Sequence, residues 1–215
     1  MELIGSGRDA DIYALDGSRV LRRYRHGGPT GQEARLMAHL ADHGYPVPRV
    51  YDTTETDMVM DRLHGPTMVQ ALRRRPWRAY SYGRVLAGLH DSLHALAAPD
   101  WLPRRFSTGH DDRLLHLDLH PENVIVTANG PVVIDWRNAA AGDPAADTAL
   151  TVVILRGAQP PGPLGRTILR ALLRGFLTAC RTDPAPRLAD AVAARLADPN
   201  LLPAEAGRLR RMTTR

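Results

Sequence analysis

The chain has 215 residues, 44% of them hydrophobic, enough to bury a core but short for two large independent domains. All 28 basic residues are arginine and the net charge is +5, yet these arginines are spread along the chain and only 5% of residues are aromatic, a pattern that excludes an obvious nucleic-acid binder. A single cysteine rules out an internal disulfide and a CxxC metal or redox motif; MELIGSG lacks the flank and apolar run of a signal peptide, and no stretch nears the roughly 18 apolar residues of a membrane helix. The expected setting is cytoplasmic, with no membrane partner.

From the N-terminus, MELIGSG, DIYAL, DGSRVLRRYR, VPRVYDT and DMVMDRL read as short strands punctuated by Gly, Asp and Pro. Between the third and fourth, EARLMAHLADHG predicts a helix from Ala34, Met37, Ala38 and Ala41, closed by Gly44. Residues 1–63 therefore form a small sheet with one helix. After Gly65-Pro66 the period changes: Val85, Leu86, Leu89, Leu93 and Leu96 place a helix over residues 83–97. A further helix follows Asp143-Pro144, with Asp143 its natural N-cap, and two arginine-bearing helices end the chain after a Pro/Gly-rich break at 159–165. Arg73, Arg74, Arg75 and Arg78 read as a solvated helix end and Cys180 as buried packing. His90 and His94 share a helix face as a zinc pair would, but no third ligand with suitable spacing is evident, so they read as packing.

HLDLHPENVIV, residues 116–126, concentrates chemistry. On a strand, His116, Asp118 and His120 would share one face and could hold a transition metal, but Pro121 argues against a continuing strand. Val124-Ile125-Val126 and Val132-Val133-Ile134 flank Ala128-Asn129-Gly130, which predicts a hairpin with a three-residue loop, Thr127 paired with Pro131 and Asn123 opposite Asp135. An amide oxygen and a carboxylate at the open end suit Mg²⁺, with Asp118 one loop away. One carboxylate to take a proton from an acceptor hydroxyl, and an amide with a second carboxylate to hold metal, is what phosphoryl transfer requires.

His116-Leu-Asp118-Leu-His120-Pro-Glu-Asn123, with Ile134-Asp135-Trp136 and Gly142-Asp143-Pro144-x-x-Asp147, resembles the aminoglycoside phosphotransferase and choline kinase branch of the protein-kinase-like fold. The resemblance implies an α+β bilobal fold: a nucleotide-binding lobe of antiparallel strands and one helix at 1–63, and a mainly helical catalytic and acceptor-binding lobe at 64–215. It makes Asp118 the catalytic base, gives Asn123 and Asp135 to Mg²⁺, and has Asp147 brace the catalytic loop. Gly5-Ser6-Gly7, with Ala10 where protein kinases place a third glycine, resembles the phosphate loop. Glu33 matches the helix glutamate, whose usual lysine partner is replaced here by Arg22 or Arg23; strand alternation turns only one inward, and alignment with the family favours Arg22. Met60, Asp61 and Leu63 resemble the hinge that binds the adenine edge, with Ile12 stacking on the ring. The implied activity is ATP- and Mg²⁺-dependent O-phosphorylation of a small-molecule hydroxyl substrate. The alternative, motivated by the missing lysine, is a pseudokinase that binds nucleotide or a partner. From Arg156 onward 11 arginines face four acids, a balance of +7 that points to a neutral or anionic acceptor rather than a polycation.

Overall fold

The computed structural model describes residues 1–7, 9–109, 112–199 and 201–213. Its elements are, in order, β1 (Glu2–Ser6), β2 (Ala10–Ala14), β3 (Arg19–Tyr24), α1 (Thr30–Asp42), β4 (Val50–Thr53), β5 (Asp57–Asp61), α2 (Met68–Arg74) and α3 (Ala79–His94). There follow β6 (Arg113–Leu115), β7 (Val124–Thr127), β8 (Gly130–Val133), β9 (Ala140–Gly142), α4 (Pro144–Gly157), α5 (Gly162–Ala179), α6 (Leu188–Leu196) and α7 (Pro203–Thr213). They fall into two compact units interleaved in sequence, one of residues 1–67 and 124–137, the other of residues 68–123 and 138–213 among those described.

The first unit holds the five strands and the helix α1 that the sequence pattern predicts, the strands forming an antiparallel sheet in the order β1-β2-β3-β5-β4. The helix ends where Gly44 adopts φ 72°, letting the Tyr45 N–H reach back to the Leu40 carbonyl. Its buried face differs from the expected one: Glu33, Leu36, Met37 and Leu40 are buried while Ala38 and Ala41 are exposed. Leucine and methionine remove more apolar surface from water than alanine, so they set the helix's rotation. The β7–β8 hairpin also corrects the sequence reading. Thr127 pairs with Gly130 and Val124 with Val133, a two-residue loop one register away from that expected. The Thr127 hydroxyl donates to the Gly130 carbonyl and accepts from the Asn129 N–H, tightening the turn. Asn123 therefore does not lie across a hairpin from Asp135: it ends a short 3-10 turn, and Asp135 lies two residues beyond β8 with φ 68°.

The second unit is mainly helical. Where α3 crosses α5, a Cβ on Gly83 would lie 2.0 Å from the Leu172 carbonyl oxygen and one on Gly175 would lie 2.1 Å from that of Tyr80, so only glycine permits this approach. Ala149, Leu150 and Val153 of α4 form a core with Leu115, Leu117, Ala140, Ala191, Val192 and Leu209. Asp143 caps α4 by accepting from the Ala145 N–H. Three elements were not legible in the sequence pattern: the seven-residue α2 and the paired strands β6 and β9. Among the described residues three helices, not two, run from within the break at 159–165 to the C-terminal part. Cys180 is half-buried rather than buried, and Arg73, Arg74, Arg75 and Arg78 are exposed as expected.

Candidate active site

In the second unit, the segment from His116 to Leu119 is not a strand. Leu117 adopts φ 63°, which breaks the alternation that would align His116, Asp118 and His120 for a metal, and the three form no metal-type cluster among the described residues. A β-carbon makes that conformation unfavourable by about 1–2 kcal/mol, so it needs outside support. Asp147, in the first turn of α4 and fully buried, supplies it: its carboxylate accepts from the Leu117 N–H at 2.7 Å and the His116 N–H at 3.1 Å. His94 Nε2 adds a third bond at 3.0 Å, and His90 Nδ1 lies 3.5 Å away. Burial pushes the Asp147 carboxyl up, and His90 and His94 more than offset this, holding it well below the usual carboxylate range.

This corrects the reading of His90 and His94 as a pair lacking a partner, since Asp147 brings a third ligand-type atom within 4.8 Å of both. His90 Nε2 also meets the Thr151 hydroxyl at 2.9 Å, and that hydroxyl donates to the Leu119 carbonyl at 2.7 Å. The segment is thus held by its N–H groups on one side and a carbonyl on the other. Between these anchors the Asp118 carboxylate reaches solvent, its side chain 23% exposed and 3.5 Å from His120 Nε2. Burial raises the Asp118 pKa, but the His120 hydrogen bond and charge outweigh it and the net shift is downward, leaving the group ionised at neutral pH. Asn123 Nδ2 donates to the Asp118 carbonyl at 2.9 Å, which leaves the amide oxygen as its atom for a cation.

In the first unit, β3 turns Arg22 inward and Arg23 outward to an exposed pair with Asp57. Arg22 Nη1 bonds Glu33 Oε1 at 2.7 Å and Nη2 bonds Asp135 Oδ1 at 2.9 Å. The buried Glu33 carboxylate also accepts from the Tyr24 hydroxyl at 2.6 Å and the Trp136 N–H at 3.1 Å. The Tyr24 ring lies under the guanidinium, 4.7 Å from centroid to Cζ. Burial works against the Arg22 cation, and Glu33 and Asp135 together overcome it, so it stays charged. Burial and the Glu33 carboxylate likewise hold the Tyr24 phenol protonated. Asp135 Oδ2 is not used by Arg22, so this carboxylate retains an oxygen donor of the kind Mg²⁺ takes.

Gly5 faces Ile12 across the β1–β2 ladder at a register shift, and the Gly7 N–H closes the turn onto the Ala10 carbonyl at 2.9 Å. Arg8, inside this loop, lies outside the described residues. Ser6 bonds Asp11 at 2.7 Å, and Arg25 ties both together. Met60 is buried, and Asp61 is fixed by the Arg49 N–H and the Tyr51 hydroxyl ahead of Leu63. Tyr24 and Thr151 were missed in the sequence although spacing could have found them: Tyr24 is two residues after Arg22 on one strand face, and Thr151 four after Asp147 on one helix face.

A family model described as the phosphotransferase enzyme family matches residues 1–109 and 96–186. No curated protein matches the sequence. Among solved structures, the chain is similar to the gentamicin complex of APH(2'')-IIa, with 15% identity, a TM-score of 0.65, and coverage of 97% of this chain and 90% of that one. It is also similar to a choline/ethanolamine kinase family protein from Mesorhizobium loti, with 19% identity, a TM-score of 0.63, and coverage of 99% and 86%. The macrolide 2'-phosphotransferase MphH from Brachybacterium faecium matches with 21% identity, a TM-score of 0.56, and coverage of 99% and 86%. The fold is α+β and protein-kinase-like, with an antiparallel sheet in the N-terminal part and a helical C-terminal part.

Proposed function

Because the chain belongs to the phosphotransferase enzyme family, we propose that it moves the terminal phosphoryl group of ATP, in the presence of Mg²⁺, to a hydroxyl of a small molecule. The observation that carries this reading is Asp118: an ionised, part-exposed carboxylate projecting from a backbone segment that Asp147 and Thr151 hold on both sides. Such a group can accept the hydroxyl proton as the acceptor oxygen attacks, and fixing its position beforehand is the main help a protein gives this chemistry.

Asn123, through its amide oxygen, and Asp135, through its free carboxylate oxygen, would hold Mg²⁺; bound there, it would neutralise charge on the phosphate oxygens. Arg22 would serve as the phosphate-holding cation, and Glu33 and Tyr24 keep it charged and oriented. Gly5, Ser6, Gly7 and Ile12 serve the nucleotide's phosphates and ring, and Met60, Asp61 and Leu63 its adenine edge. In this reading residues 1–63 bind the nucleotide, residues 64–215 supply the chemistry and the acceptor site, and the protein works in the cytoplasm. The excess of arginine over acid after residue 155 favours a neutral or anionic acceptor.

Thermal stabilisation by ATP, with and without Mg²⁺, tests the reading on wild type and on Asp135→Ala. Mg²⁺-dependent stabilisation that Asp135→Ala removes supports it. One observation favours a second reading, a nucleotide- or partner-binding module without transfer: Arg22 already neutralises the carboxylate assigned to the metal. No stabilisation by ATP in any condition would favour that module.

A further inference from the structure

The buried polar cluster behind the His116–Leu119 segment has a proton inventory that fixes its charges. The Thr151 hydroxyl has one hydrogen, and at 2.7 Å the Leu119 carbonyl takes it. Toward His90 Nε2, 2.9 Å away, the same hydroxyl can only accept, so Nε2 carries a proton. If His90 were neutral, Nδ1 would be a bare lone pair facing Asp147 Oδ2 at 3.5 Å, with no hydrogen-bond partner in a fully buried side chain. Two facing acceptors repel, and an unmatched buried polar atom costs about 1–3 kcal/mol.

Its neighbours do not share that charge. His94 Nε2 donates to Asp147 and its Nδ1 has no partner, which fits a neutral ring. His116 Nδ1 accepts from the Asp118 N–H at 3.2 Å, so it carries no proton there. The His90 and His94 ring centroids are 5.3 Å apart, which disfavours two cations. From α5 the Phe176 ring edge meets His90 at 5.4 Å, and the half-buried Cys180 follows that helix.

We infer that His90 is a buried imidazolium with a proton on each ring nitrogen, Nε2–H donating to Thr151 and Nδ1–H facing the Asp147 carboxylate at 3.5 Å, and so positions the His116–Leu119 segment from both sides. The Asp147 carboxylate then accepts three hydrogen bonds, from the Leu117 and His116 N–H groups and His94, with the His90 cation 3.5 Å away. Charge in the cluster sums to zero, one imidazolium against one carboxylate. A divalent metal on His90, His94 and Asp147 would instead leave a net positive charge in the core and a buried Nδ1–H on His94 with nothing to accept it.

The positioning role rests on the catalytic reading of Asp118; the placement of the proton does not. Ring nitrogen shifts of ¹⁵N-histidine-labelled protein at neutral pH test the placement, with His90→Gln used for assignment. Both His90 nitrogens in the protonated range, unchanged by chelator, is the expected result. An unprotonated Nδ1, or bound metal in elemental analysis with shifts that move on chelation, overturns it. If His90→Gln fails to fold, Thr151→Ser, which keeps the hydroxyl, assigns the ring by moving its Nε2 signal. The role itself is read from Mg²⁺-dependent ATP hydrolysis: Thr151→Val, which frees the Leu119 carbonyl, lowers kcat by about tenfold or more with KM for ATP little changed, since a small misplacement of reacting groups can cost up to ~10²-fold. An unchanged kcat removes the positioning role while leaving the charge assignment standing.

Discussion

Arg22 and Asp135, 113 residues apart in the chain, are joined by a 2.9 Å ion pair, and the same guanidinium holds Glu33 at 2.7 Å. A lysine ammonium is a point charge without a fork, and could not span both carboxylates with fixed geometry. Arg22→Lys therefore releases Asp135, and the Mg²⁺ concentration needed for half-maximal ATP stabilisation falls severalfold. A rise in that concentration would show that the pair organises the metal site instead of competing with it.

Removing the cation altogether acts on stability. Arg22 is largely buried and Glu33 fully so; Arg22→Ala leaves the carboxylate with only the Tyr24 hydroxyl and the Trp136 N–H. Breaking a buried pair from one side typically costs about 3–5 kcal/mol, which for a chain of this size lowers Tm by roughly 10 °C. Glu33→Gln, which keeps an acceptor for Tyr24, costs less. Calorimetry on both variants checks the order.

Asp118→Asn reduces transfer by about 10²–10⁴-fold, the usual contribution of a positioned base, while ATP stabilisation stays within error of wild type. Because the Asp118 pKa is shifted down, the base stays ionised through the neutral range, and loss of activity on its protonation is displaced to more acid pH than for an ordinary aspartate. Turnover retained in the variant would remove Asp118 from the mechanism.

Asp147 gives the fold an acid sensitivity with a definite sign. Its pKa is depressed in the folded state, so its contribution to stability is fully present above the unfolded value of about 4 and is lost progressively as pH falls toward its lower folded value. Tm of the wild type declines across that window, and Asp147→Asn, less stable at neutral pH by about 3–5 kcal/mol, declines less steeply. Parallel curves would mean that other carboxylates govern the acid limb.

Gly83→Ala or Gly175→Ala places a β-carbon about 2 Å from a backbone carbonyl oxygen at the α3–α5 crossing. Neither carbonyl can move away without shifting its helix, so each change costs about 1–3 kcal/mol as overpacking. Once one change has spread the helices, the second adds less, and the double variant falls short of the sum.

Local pattern made much of this molecule readable. The five strands and α1 follow from alternation and breakers, the Asp143 cap from its place before Pro144, and the phosphotransferase family from the block at 116–123 with Asp135 and Asp147. What stayed hidden depends on distance along the chain or on fine geometry. His90 and His94 lack meaning until Asp147 arrives from 53 residues beyond His94. The hairpin register turned on a single residue, because Ala128-Asn129-Gly130 supports either loop length and side-chain bonds from Thr127 decide between them. The short α2 carries too few turns for a periodic signal.

The left-handed backbone at Leu117 is held by a carboxylate that α4 carries in its first turn, so the loop's amides are tied to a helix wrapped in the core. Exchange of the His116 and Leu117 amide hydrogens with solvent then cannot proceed by fraying of the loop alone. It requires α4 to let go, and these two positions, though next to a solvent-reaching carboxylate, should exchange as slowly as the centre of that helix. The His116–Leu119 segment would thus report the opening free energy of its whole unit.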